Sequence, residues 1–128
     1  MKPNFLFILS AVWIVLIGVA GAFLSYTGTY SIEVAEPALL DARFRVPISL
    51  YFGLAVINWF ARNSDASKAR DAIFIGNTVG FFVWAVFVAL VTLTPGSDPT
   101  GWGAVVINLL FTIAFFVVGR ANMSTNAN

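Results

Sequence analysis

The chain has no cysteine and no histidine. Disulfides, thiol redox chemistry, Cys/His zinc sites and Fe–S clusters are therefore closed to it on its own. So are histidine-ligated haem or chlorophyll and an imidazole general base. Charge is scarce too. Charged side chains make up 10% of the 128 residues, against about 25% in soluble domains. Seven Lys and Arg oppose six Asp and Glu, a net charge of +1, which leaves no long-range field to steer a polyanion. These shortages exclude a soluble globular domain, a disordered chain and a nucleic-acid binder.

What is present is apolar: 59% hydrophobic residues, 13 of the 128 being Phe, with a mean hydropathy of +0.89. The charges cluster, leaving residues 3–32, 46–61, 72–97 and 99–119 free of them. A helix needs about 20 apolar residues to cross a hydrocarbon core about 30 Å thick. The pattern predicts four spans: Phe5–Leu24, Val46–Ala61, Ala72–Thr94 and Trp102–Gly119. The second apolar core is short, but Glu36-Pro37 places proline at a first helical position behind an acidic residue, a helix start signal. A helix over Pro37–Ala61 would be about 37 Å long, with Pro47 inside it as a candidate kink. Strands of a barrel would alternate apolar and polar residues; FLFILSAVWIVLIGVAGAFL does not. Ala20-Gly21-Ala22 behind Lys2 resembles a signal cleavage site, but the segment is read as a retained span. The expected fold is an all-α membrane protein, a four-transmembrane-helix bundle in one membrane domain, with a frayed tail over 121–128.

Orientation follows from Lys and Arg near the span ends. Lys2, Arg62, Lys68, Arg70 and Arg120 fall on one side, Arg43 and Arg45 on the other. This bias predicts both termini in the cytoplasm of a cell whose inner membrane holds the protein. Residues 25–36 and 95–101 then form the outer loops, the second (PGSDPTG) a tight turn by composition.

Helices in lipid associate through close packing and interhelical hydrogen bonds. Gly18 with Ala22, Ser49 with Gly53, and Gly76 with Gly80 are small pairs at i, i+4. Gly76 and Gly80 form a GxxxG, read first as internal packing and alternatively as a homo-oligomer face. Trp59 and Trp102 fall near span ends, where headgroups anchor such rings. Phe81, Phe82, Phe87, Phe111, Phe115 and Phe116 crowd the third and fourth spans, read as packing or lipid-facing bulk rather than a slot for an isoprenoid, quinone, carotenoid or acyl chain. Asn58 and Asn77 fall at similar depths, and the two amides are expected to meet each other across neighbouring helices, joined by Thr78 and Ser10. Ala104, Asn108 and Thr112 share one face of the fourth span. In the outer cluster of Glu33, Glu36, Asp41, Arg43 and Arg45, the arginines can grip lipid phosphate or pair with the carboxylates. A structural salt-bridge network is preferred there; Arg43, Arg45, Glu36 and Asp41 are the candidate lipid or ligand residues.

The run EPALLDARFRVPISLYFGLAVINWFAR, followed by ARDAIFIGNTVGFFVWAVF and the Trp-containing start of the fourth span, resembles small four-helix bacterial integral membrane proteins with no assigned activity. The resemblance covers about residues 36–119 and implies a fold and a membrane address, not a reaction. Small multidrug exporters resemble the chain in size but need a carboxylate in the first span, and none lies there. The expectation is a small non-enzymatic protein without cofactor or metal, partnered by the bilayer and by a larger membrane complex or a second copy. The alternative is a binder or carrier of a lipid-like molecule.

Overall fold

A computed structural model gives the architecture. It describes residues 2–26, 37–96 and 99–122, with side chains over 2–23, 49–96 and 99–122. The described chain is helical: α1 Pro3–Tyr26, α2 Pro37–Ala61, α3 Lys68–Thr92 and α4 Gly101–Asn122. Pro3–Phe23, Lys68–Thr92 and Gly101–Asn122 are long and apolar enough to cross a membrane. The described apolar stretch of α2, Ser49–Ala61, is shorter. By length and composition this is a membrane protein.

Local chemistry explains the helix ends. α2 begins at Pro37, the proline of the start signal, and its helix continues through Pro47. α3 begins one turn before the apolar run because Ser67, in extended backbone (φ −158°), caps it. The Ser67 hydroxyl accepts from the Arg70 backbone N–H at 3.3 Å, satisfying one of the orphan donors of the first turn. Asp71 in that first turn suits the helix dipole. At the other end Leu93 N–H bonds Ala89 carbonyl at 2.9 Å and Thr94 N–H bonds Val91 carbonyl at 3.0 Å, tightening the last turn. Gly96 then takes φ +85°, left-handed backbone that glycine adopts without strain. α4 opens with Trp102 N–H on Pro99 carbonyl and Gly103 N–H on Thr100 carbonyl.

The chain divides into two compact units, Phe7–Arg62 and a second made of Met1–Leu6 with Asn63–Asn128. In the second, α3 and α4 pack as an antiparallel hairpin. Two glycines allow the close approach. A Cβ on Gly101 would collide with the Thr92 hydroxyl. A Cβ on Gly119 would meet Phe74 Cβ at 3.1 Å. Between these ends runs a ring ladder: Phe81 stacks on Phe111 (centroids 4.8 Å) and on Phe115 (5.8 Å), and Phe74 meets Phe115 edge-on at 6.2 Å. Offset and edge contacts of this kind suit the ring quadrupoles. In the first unit Gly18 faces Phe52, where a Cβ would meet Cζ at 3.4 Å, an ordinary van der Waals contact.

Candidate functional site

Every helix is apolar around most of its circumference, as expected where lipid replaces water on the outside. Large apolar side chains such as Phe60, Phe87, Leu90 and Leu110 are exposed. The buried faces are marked instead by polar residues. Ser10 and Asn58 are fully buried in the first unit, Asn77 and Asn108 in the second, where the guanidinium-bearing Arg70 is only 9% exposed. An amide in hydrocarbon needs a partner, and two solutions occur. Asn58 reaches across from α2 to α1, its Nδ2 donating to Ser10 Oγ at 3.1 Å, while Ser10 donates to Phe7 carbonyl at 3.0 Å. The others bond inside their own helix, four residues back. Asn77 Nδ2 donates to Ile73 carbonyl at 2.9 Å and Thr78 Oγ1 to Phe74 carbonyl at 2.9 Å. Asn108 Nδ2 donates to Ala104 carbonyl at 2.8 Å and Thr112 Oγ1 to Asn108 carbonyl at 2.9 Å. The Ala104, Asn108, Thr112 stripe is thus zipped along α4 by its own bonds. Thr92, Thr94 and Asn122 do the same. The Asn108 Oδ1 is buried with no hydrogen-bond partner among the described residues.

The small-residue pairs separate. Gly18 is buried against α2, whereas Ala22, Ser49 and Gly53 are exposed. Gly76 and Gly80 lie on the exposed face of α3. A Cβ at either, or at Gly53, would meet no atom within 4 Å. The phenylalanines separate as well: Phe81, Phe111 and Phe115 are buried in the ladder, while Phe82, Phe87 and Phe116 face outward. Trp59 and Trp102 are each 45% exposed.

Two lateral grooves occur among the described residues. In the α1/α2 unit Ala11, Val15, Phe52, Ala55, Val56 and Trp59 help enclose about 350 Å³, all apolar. In the α3/α4 unit Phe74, Ile75, Thr78, Val79, Phe115, Phe116 and Arg120 enclose about 260 Å³. Each groove ends near an arginine held over one of its rings. Arg62 sits 3.7 Å above the Trp59 ring and also donates to the Trp59 carbonyl. Arg120 lies 5.7 Å from the Phe116 ring. Arg70 likewise lies 5.7 Å from Phe74, its Nε buried and without a hydrogen-bond partner among the described residues.

Of the outer cluster, Glu33 and Glu36 lie outside the described residues, and so do the side chains of Asp41, Arg43 and Arg45. Sequence reasoning missed the burial of Arg70. The signal was present in the spacing of Arg70, Phe74, Asn77 and Phe81, which recur at i, i+4, i+7 and i+11 on one face. It also missed the two groove-end arginines, which it used only to orient the chain. Among the described residues no group of three or more Asp or Glu could hold a metal ion. No protein-family model, no curated protein and no solved structure matches the chain, so the likeness to small four-helix bacterial membrane proteins rests on the residues quoted for it.

Proposed function

We propose that the protein is a small non-enzymatic integral membrane protein that works by association, as an accessory subunit of a larger membrane complex or as a self-associating bundle. In this reading it crosses the inner membrane four times with both termini in the cytoplasm. The observation that carries the reading is the outward face of α3. Ala72, Gly76, Val79, Gly80 and Val83 are exposed there, with open space where a Cβ would stand on either glycine. A GxxxG with no described atom where either Cβ would stand leaves room for a second helix to approach closely. The charge-free spans support the same reading, because intramembrane chemistry ordinarily uses ionisable groups.

Cross-linking in native membranes followed by mild-detergent purification tests it. The expected product is a complex or homo-oligomer that dissociates when Gly76→Leu and Gly80→Leu block the face. A chain that emerges monomeric and alone, with or without the leucines, refutes it. Because cysteine is absent, topology is open to labelling of single cysteines: Ser64→Cys reached from the cytoplasm and Thr100→Cys from outside, the reverse or a shared side refuting the orientation.

The second reading, a binder of a lipid-like molecule with Arg43 and Arg45 at the headgroup beside Glu36 and Asp41, is favoured by the α1/α2 groove. Its lining reaches Phe52, nine residues or about 13 Å along α2 from Arg43. Native mass spectrometry should detect a retained lipid that Arg43→Ala releases with the fold intact. Retention untouched by Arg43→Ala removes this reading.

A further inference from the structure

The α3/α4 groove differs from a plain lipid-facing furrow in carrying a cation at one end. Its floor is aromatic and aliphatic, from Phe115 and Val79 to Phe74, and Arg120 completes the lining. Gly119 against Phe74 fixes which end this is: the last turn of α4 beside the first turns of α3. Lys68 and Arg70 belong to that same end of the hairpin, as does the N-terminus of α3, where backbone N–H groups favour anions. Asp65 and Asp71 are the acidic residues of this stretch. No carboxylate pairs with Arg120 among the described residues; its guanidinium lies by the Phe116 ring of its own helix. Arg70 is nine-tenths buried with an Nε that lacks a hydrogen-bond partner among the described residues. Phe74, which lies under that guanidinium, also lines the groove. An uncharged tail would gain nothing from these cations. A tail attached to a phosphate would gain at both ends.

From this juxtaposition we propose that the α3/α4 groove seats one acyl chain of an anionic phospholipid of the surrounding bilayer, with its phosphate at Arg120 and the basic start of α3. This site is separate from Arg43 and Arg45 and does not depend on either reading above. Arg120 grips by charge-assisted N–H donors that match phosphate geometry. Basic pockets between membrane helices hold anionic headgroups in this way. Its other role, offsetting the negative end of the α4 dipole, does not discriminate between lipids, so headgroup preference is the informative readout.

The experiment places the full chain in mixed micelles with equal phosphatidylglycerol and phosphatidylcholine of identical acyl chains. Lipid that stays bound is counted by native mass spectrometry. Phosphatidylglycerol should be retained in excess. Arg120→Gln should lower its retention about fivefold, the effect of one juxtamembrane cation, and lower that of phosphatidylcholine less, because choline already offsets the charge of the same phosphate. Ile75→Trp, which fills the groove from an exposed position, should lower retention of both. Circular dichroism confirms that each variant keeps its helices. Equal retention of the two lipids, or phosphatidylglycerol retention unaltered by both substitutions, overturns the proposal. A dimer that carries no lipid, with a second copy in the groove, overturns it as well.

Discussion

The approach of Gly119 to Phe74 in the α3/α4 hairpin offers a direct measure of what glycine does there. Replacing a mid-helix glycine by alanine removes excess backbone entropy and stabilises a helix by about 0.5–1 kcal/mol. At Gly76 that gain should appear undiminished, since the new Cβ meets nothing within 4 Å. At Gly119 the same methyl would stand 3.1 Å from Phe74 Cβ, 3.3 Å from its Cγ and 3.4 Å from its Cδ1. Phe74 cannot yield cheaply. Its Cβ is fixed by the α3 backbone, its ring is held edge-on against Phe115, and the residue is 1% exposed. The helices must separate by a few tenths of an ångström, and forced overpacking of this kind costs about 1–3 kcal/mol. Propensity is common to both variants and cancels, so Gly119→Ala should be less stable than Gly76→Ala by that steric cost. Titration of the helix-to-SDS-denatured transition in dilute, monomeric micelles measures the gap. Equal stabilities, or a more stable Gly119→Ala, would show that α3 and α4 are not held together at this point.

Five further substitutions probe the other contacts. Asn108→Leu removes a buried carbonyl oxygen that lacks a partner among the described residues, and unsatisfied buried groups cost about 1–3 kcal/mol. The variant should be as stable as the parent or more so, and a loss beyond about 1 kcal/mol would mean that a donor reaches Oδ1. Asn58→Leu and Ser10→Ala should each destabilise, with a double-mutant coupling of about 0.6 kcal/mol, the average for membrane interhelical hydrogen bonds; zero coupling would show that the Asn58–Ser10 bond is not formed. Gly101→Ala should disrupt the start of α4 by driving a methyl into the Thr92 hydroxyl, and Thr92→Ala should restore part of the loss in the same unfolding titration. No recovery would locate the damage elsewhere.

Much of this organisation is legible in the residues, for identifiable reasons. Charge-free runs mark the three long apolar helices, because lipid tolerates few charges. Faces are harder to read. A helix surrounded by lipid is apolar all round, so hydrophobic periodicity gives no inward direction. Phe81 and Phe82 are chemically identical neighbours, one buried and one half-exposed. The amides carry the information that the hydrocarbon side chains lack: each buried face holds a Ser or an Asn, namely Ser10, Asn58, Asn77 and Asn108. Their choice of partner is not written in spacing. Asn58 donates to Ser10 on α1, while Asn77 donates to Ile73 on its own helix. The GxxxG of α3 is equally silent about direction, since two glycines at i, i+4 fit an inner or an outer face equally well. Ser67 was readable as a cap but lay outside the apolar window that defined the span.

The habit of Asn77, Thr78, Thr92, Asn108 and Thr112 of bonding to the carbonyl four residues behind them bears on how the chain enters the bilayer at all. A polar side chain that already has an acceptor on its own backbone does not have to wait for a neighbouring segment before leaving the translocation channel. Both helices of the α3/α4 hairpin can therefore partition sideways into lipid one after the other and find each other later, in keeping with the independent stability of single membrane helices. α1 and α2 are tied differently, through an amide on one and a hydroxyl on the other. That bond forms only when both helices are in place, whereas the bonds of the α3 and α4 side chains named above lie within single helices.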